Sequence, residues 1–132
     1  MVIARRKGMV VWMKKYRVIV AGCRNFDDYA RLKAELEAYF LTLEPWEIII
    51  VSGCADGADA LGERYADEHG LKTERFPAEW ERYGRAAGPK RNMQMAKAAD
   101  AIIVFWDDKS RGTKNMIECA KKAGKPCKIV LF

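Results

Sequence analysis

The sequence lacks an apolar run close to the ~20 residues that a membrane-spanning helix needs. Its stretch MVVWM is also shorter than the ~7 apolar residues that form the core of a secretory signal. Four cysteines occur among 132 residues, and none of them forms a CxxC pair. We therefore expect a cytoplasmic protein with reduced thiols and no membrane partner.

Histidine is nearly absent, which limits the chemistry that the chain can perform. The single histidine, His69, precedes Gly70 at a predicted helix end, where capping is its ordinary role. A Ser-His-Asp triad or a His-rich metal site would have to be built around it. The chain also lacks GxGxxG after its first predicted strand and lacks GxxxxGK[ST] altogether, which argues against a typical dehydrogenase or P-loop NTPase.

Acidic residues are missing from residues 1–17, which contain six lysines and arginines. The other 115 residues carry 18 basic and 18 acidic side chains, so the excess charge of +6 belongs to this segment. We divide the chain into a basic N-terminal extension, residues 1–15, and one domain, residues 16–132. The extension is expected to be solvated or partly disordered, with a strand through MVVWM or contacts to phosphates or membrane as alternatives.

Strand and helix patterns alternate five times in the domain. Strands are predicted at 17–22, 47–53, 71–77, 101–106 and 126–132. Helices are predicted at 27–45 with Pro45 as the stop, at 57–70, at 113–124, and at 90–100 with Pro89 in the first turn. Residues 78–88 fit a long loop or a broken helix. The pattern predicts a single doubly wound, Rossmann-like α/β domain whose parallel sheet has strand order 3-2-1-4-5 and helices on both faces.

Three polar loops follow the first, second and fourth strands, which are the predicted central strands. They read GCRNFDD, SGCADGAD and WDDKSRGTK, and each precedes a helix whose free N–H groups can receive an anion. In such sheets ligands bind outside the carboxyl ends of the strands, where the strand order reverses. The loops therefore favour a ligand site at this edge, although each loop alone is also typical of a plain strand-to-helix turn.

Four segments resemble the YspA-like branch of the SLOG superfamily, in the same order from about residue 17 onward. They are AGCRNFDD, VSGCADGADALGERYADEHG, FPAEWERYGRAAGPKRNMQMAKAAD and FWDDKSRGTKNMIECAKKAGKP. The resemblance implies a Rossmann-like domain that binds a nucleotide or an NAD- or ADP-ribose-like molecule. The phosphoribohydrolases of this superfamily carry a catalytic Glu three residues after a Gly-Thr pair, where this chain has Met116. Their catalytic machinery is therefore not carried over, and the catalytic residues stay unknown.

The candidate ligand-binding residues come from the loops and from the resemblance. They are Gly22, Cys23, Arg24, Ser52, Gly53, Gly57, Asp59, Arg91, Asn92, Asp107, Ser110, Gly112 and Thr113. Arg24 and Arg91 are candidates for clamping phosphates or for surface ion pairs. Asp107 is a candidate for ribose hydroxyls, for a Mg²⁺ ion that accompanies the nucleotide, or for a solvated acid. Trp80 stacks on a base in one interpretation and anchors a long loop in the other.

Three functions stay open at this point. The first is a sensor or binding protein for a phosphorylated nucleoside. The second is a nucleotide-processing hydrolase that cleaves an N-glycosidic or phosphate ester bond. The third is nucleic-acid binding, suggested by the DNA-uptake protein DprA of the same superfamily, and the balanced charge of residues 18–132 argues against it. Self-association into a homo-oligomer also stays open.

Overall fold

The computed structural model describes the backbone of residues 2–6, 9–43 and 47–132, and the side chains of residues 14–43 and 47–132. The strands are β1 (Val2–Arg6), β2 (Met9–Met13), β3 (Lys15–Gly22), β4 (Glu47–Ser52), β5 (Lys72–Arg75), β6 (Ala101–Trp106) and β7 (Cys127–Leu131). The helices are α1 (Tyr29–Phe40), α2 (Ala58–Glu68), α3 (Trp80–Tyr83), α4 (Ala87–Ala98) and α5 (Arg111–Lys122). A turn of 3₁₀ helix at Gly84–Ala86 separates α3 from α4.

Five parallel strands form one sheet in the order β5-β4-β3-β6-β7. This is the predicted order 3-2-1-4-5, and the predicted Rossmann-like α/β class is confirmed. Val18 of β3 pairs with Ile50 of β4 on one side and with Ala101 of β6 on the other. The two strands with charged or exposed side chains, β5 and β7, form the edges as expected.

The core lies in two layers, one on each face of the sheet. Val18 and Val20 of β3 pack with Leu32 and Leu36 of α1 and with Tyr65 of α2. Ile19, which points to the opposite face of the same strand, packs with Met95 of α4 and Met116 of α5. Because successive side chains of a strand point to opposite faces, a continuous apolar run is what a strand covered on both faces requires.

Several element boundaries differ from those predicted. The first helix ends at Phe40, with Leu41 as its C-cap, and the predicted stop at Pro45 lies outside the described residues. Residues 78–88, for which the pattern predicts either a loop or a broken helix, contain α3, the 3₁₀ turn and the start of α4. Strands β1 and β2 pair antiparallel as a separate two-stranded sheet, and β2 coincides with MVVWM. Among the described residues, no helix is long and apolar enough to cross a membrane.

Gly22, at the end of β3, approaches β6 so closely that no side chain fits between them. A Cβ at this position would lie 2.3 Å from the carbonyl oxygen of Phe105 and 2.9 Å from the Cβ of Ala58. Gly112 lies in the first turn of α5. Apart from its chain neighbours and the backbone of its own helix, no heavy atom lies within 4 Å of a Cβ at this position. The two glycines therefore offer a matched pair of substitutions, one crowded and one open.

We expect Gly22→Ala to lower the free energy of unfolding by roughly 1–3 kcal/mol, because the backbone of β6 has to move to admit the methyl group. Gly112→Ala should leave stability unchanged or raise it slightly, since alanine favours a helix more than glycine does. Urea denaturation of both variants measures the difference. Equal stabilities for the two variants would contradict the close approach of β3 and β6.

Candidate functional site

A cavity of about 700 Å³ lies at the carboxyl ends of β3 and β6, where the strand order reverses. Most of the predicted site residues line it, namely Gly22, Cys23, Arg24, Asp59, Arg91, Asn92, Asp107, Ser110, Gly112 and Thr113. The three polar loops thus converge at one edge of the sheet, together with the start of α4. The ligand-binding roles of these residues stay predictions.

Ser52, Gly53 and Gly57 do not line the cavity and instead shape the loop after β4. The Ser52 hydroxyl donates to Glu63 of α2 at 2.7 Å and accepts from the amide of Cys54 at 3.1 Å. Gly57 has a φ of 74°, a conformation that favours glycine, and a Cβ there would lie 2.2 Å from the carbonyl oxygen of Cys23. These contacts support the loop rather than face the space where a ligand would lie.

Asp59 is a buried carboxylate that lines the cavity from the first turn of α2. It is 5% exposed, and its Oδ2 accepts a weak hydrogen bond from the amide of Ala55 at 3.4 Å. Burial raises the pKa of Asp59 to about 6, although backbone hydrogen bonds and the positive charge of Arg91 act in the opposite direction. Its carboxyl group therefore changes its protonation state close to neutral pH.

Arg91 reaches from α4 to the loops that follow β4 and β5. Its Nη1 donates to the carbonyl oxygen of Gly53 and, at 3.5 Å, to that of Phe76, and its Nε donates to the side-chain oxygen of Asn92 at 3.0 Å. Burial lowers the pKa of Arg91, and the negative charge of Asp59 opposes that change. The guanidinium group thus lines the cavity while it also fixes the loop after β4.

The start of α5 forms another part of the lining. Ser110 is the N-cap, and its Oγ accepts from the amide of Thr113 at 3.4 Å. Asp107 accepts from the amides of Lys109 and Ser110 at 2.9 and 2.8 Å, and these two hydrogen bonds lower its pKa. The first amides of a helix have no carbonyl partner one turn earlier, so α5 can present N–H groups to an anion here.

Asn92 and Cys23 connect the parts of this lining. The Asn92 side-chain amide donates to Asn115 of α5 at 2.9 Å and to the carbonyl oxygen of Gly112 at 3.5 Å. Cys23 is buried, and its Sγ lies 3.8 Å from the hydroxyl of Thr113. These contacts hold the starts of α4 and α5 against the end of β3.

The cavity also contains residues that were not among the predicted ligand-binding set. Arg111 is an exposed cation at the first position of α5, and Trp80 of α3 is 52% exposed. Asn25 and Asn115 complete the polar part of the lining. The signal for Arg111 is its place in the sequence between Ser110 and Gly112, two residues of the predicted set.

The cavity holds carboxylates, yet the described residues contain no group of three or more His, Cys, Asp or Glu side chains placed to hold a metal ion. The two that line the cavity, Asp59 and Asp107, bond to backbone amides. With Arg24, Arg91 and Arg111, the lining has three guanidinium groups against two carboxyl groups. The site therefore carries an excess of positive charge, which suits an anionic ligand.

The sequence also resembles known proteins. The model of the YspA, cpYpsA-related SLOG family matches residues 16–83. A protein described as Gene 61 protein, from Mycobacterium phage D29, is 35% identical over 118 aligned positions, and the match covers 83% of this chain and 92% of that protein. The chain belongs to the YspA, cpYpsA-related SLOG family.

Membership in this SLOG family is in keeping with the Rossmann-like sheet and suggests a nucleotide-binding fold. The matched residues include the loops after β3 and β4, while α4 and α5 follow the matched segment. Among solved structures, the C-terminal domain of a hydrogenase from Pyrococcus furiosus is similar at a TM-score of 0.45 and 16% identity, over 90% of this chain and 95% of that one.

We expect the ionisation of Asp59 to destabilise the folded chain as the pH rises. Its pKa in the folded chain, about 6, lies above the ordinary value of 3.8. The protonated Asp59 therefore adds roughly 3 kcal/mol to the free energy of unfolding below about pH 4, and this contribution is lost as the pH rises through 6. The free energy of unfolding of the wild type should fall relative to that of Asp59→Asn as the pH rises from 4 to 7.5. Urea denaturation of both proteins measures this difference.

Asp107→Asn is the matched control, because Asp107 lines the same cavity with a lowered pKa. A lowered pKa contributes stability that is present above the ordinary pKa and is lost only as the pH falls. The difference in free energy of unfolding between wild type and Asp107→Asn should therefore stay nearly constant between pH 4 and pH 7.5, because both proteins carry Asp59. A wild-type-minus-Asp59→Asn difference that stays constant over this range would contradict the burial of the Asp59 charge.

Proposed function

We propose that this chain binds a phosphorylated nucleoside, such as a nucleotide or an NAD- or ADP-ribose-like molecule, in the cavity at the carboxyl edge of the sheet. The observation that carries the proposal is the joint placement of Arg24, Arg111 and the start of α5 at one cavity. A phosphate group matches both features, since guanidinium groups clamp it and the free amides of a helix N-terminus accept it.

The dimensions and composition of the cavity support the same proposal. Its volume of about 700 Å³ falls within the range of sites that enclose small ligands and cofactors. The lining joins apolar groups, including Ala21, Met95 and Met116, with polar and charged side chains from four different segments. Such a mixed lining suits a molecule with both a ring system and a charged end. Family membership supports the ligand class but not a particular nucleotide.

Arg24 and Arg111 are the better candidates for direct phosphate contacts. Both are exposed at the cavity, whereas the Arg91 guanidinium already donates to two backbone carbonyls and to Asn92. Arg91 therefore contributes its charge to the site and its hydrogen bonds to the loop. Replacing Arg91 would combine an effect on binding with an effect on stability, so Arg24 and Arg111 give the cleaner test.

Isothermal titration calorimetry against NAD, ADP-ribose, cyclic ADP-ribose, AMP and ATP tests the proposal. We expect at least one of them to bind with a dissociation constant below about 1 mM, and Arg24→Ala or Arg111→Ala to weaken that binding by about 1.5–3 kcal/mol each. Arg64→Ala is the control, because Arg64 of α2 pairs with Glu68, stacks on Tyr29 of α1 and does not line the cavity. Failure of every ligand to bind below about 1 mM, roughly −4 kcal/mol, would refute the proposal.

A nucleotide-processing hydrolase is the second candidate, and the environment of Asp59 favours it. A carboxylate with a pKa of about 6 that lines a ligand cavity is suited to accept a proton from an attacking water near neutral pH. The reaction would be the cleavage of an N-glycosidic or phosphate ester bond by that water. Arg91, next to Asp59, supplies positive charge to the same space.

Incubation of the chain with the same five ligands, with and without Mg²⁺, separates the two candidates. If Asp59 is the base, product formation should increase with pH around a midpoint near 6, and Asp59→Asn should reduce kcat by roughly 10²- to 10⁴-fold while binding persists. Product quantified by chromatography provides the measurement. Tight binding with fully intact ligand after long incubation would exclude the hydrolase and leave the binding protein.

A further inference from the structure

Trp80 occupies an unusual position for a large aromatic residue. It is the first residue of α3, lines the cavity, and is 52% exposed. Its ring lies beside the start of α4, since a Cβ at Gly88 would come within 3.3 Å of the Trp80 Cη2. The absence of a side chain at Gly88 leaves room for the indole ring at the cavity.

The alternative role of Trp80, as an anchor of the loop between β5 and α4, does not agree with its surroundings. An anchoring tryptophan buries its ring in the core, but α3 contains no buried residue. Among the described residues, Trp80 belongs to neither of the two core layers. It is also not one of the partly buried side chains that pack against those layers. Much of the indole surface is therefore available to another molecule.

The neighbouring aromatic residue of the same helix gives a useful comparison. The ring of Tyr83 is already covered by two cations, with Arg82 at 5.0 Å and Lys90 at 4.6 Å from its centroid. Among the described side chains, no ring or cation stacks on Trp80. Trp80 thus offers a free aromatic face to the same cavity that Arg24 and Arg111 line with positive charge.

We infer that Trp80 is the stacking platform for the heterocyclic base of the ligand, and that it determines the preference for base-containing ligands over phosphorylated sugars. This inference rests on the proposed function, because it takes the ligand to be a phosphorylated nucleoside. The base stacks on the indole ring, while the phosphate binds near the start of α5. An aromatic face accepts any base, so Trp80 selects for the presence of a base and not for its identity.

The experiment compares AMP and ADP-ribose with ribose 5-phosphate, which has the sugar and phosphate but no base. We expect Trp80→Ala to weaken the binding of AMP or ADP-ribose roughly 10- to 100-fold and to leave ribose 5-phosphate unchanged. Trp80→Phe, which keeps an aromatic face, should retain most of the affinity. Tyr83→Ala is the control on the same helix and should bind all three ligands as the wild type does. Calorimetry measures these affinities.

Tryptophan fluorescence gives a second, direct readout. Stacking of a purine should quench the wild-type emission, and Trp80→Phe should lose that quenching although calorimetry still detects binding. If AMP or ADP-ribose binds to the wild type and to Trp80→Ala equally well, the inference is wrong and the proposed function stands. If the wild type binds none of the three ligands, nor any other nucleotide tested, the proposed function fails and the inference fails with it.

Discussion

The guanidinium group of Arg91 joins parts of the chain that are distant in sequence, and the cavity depends on it. From α4 it donates to the carbonyl oxygens of Gly53 and Phe76, which follow β4 and β5. Through Asn92 it is also connected to α5. Arg91 is half-buried, and a partly desolvated charge is costly without an opposite charge nearby, which the ionised Asp59 provides. Burial raises the pKa of Asp59 and opposes this pairing, so Asp59 balances the charge of Arg91 fully only above about pH 6.

The fold could be predicted because each strand and most helices have a hydrophobic pattern within their own residues, and the alternation of strand and helix repeats along the chain. The continuous apolar runs of β3, β4 and β6 require a strand buried on both faces, and right-handed crossovers then leave few strand orders. Residues 78–88 could not be assigned because α3 has only four residues and no buried side chain, so it has no apolar periodicity to detect. Its position depends instead on tertiary contacts with α4, which follows it after the 3₁₀ turn.

The site was predicted less completely, for a different physical reason. Placing residues at the carboxyl ends of β3, β4 and β6 requires only the strand order, and most of the predicted residues do line the cavity. Whether a polar side chain faces a ligand or supports a loop depends on a partner that sequence spacing does not reveal. The Ser52 hydroxyl bonds to Glu63, one turn into α2 beyond Asp59, and this interaction directs it away from the cavity.

Burial divides the residues of the site into two groups with different tasks. Ser52, Asp59, Asn92 and Thr113 are the buried polar residues of the described chain, and each has a hydrogen bond to a neighbouring loop or helix. Buried polar groups need such fixed partners, so these residues define the shape of the site. Arg24, Arg111 and Trp80 are exposed at the same cavity and are free to meet a ligand. The buried residues therefore hold the loops in place, and under the proposed function the exposed residues are the ones that contact the ligand.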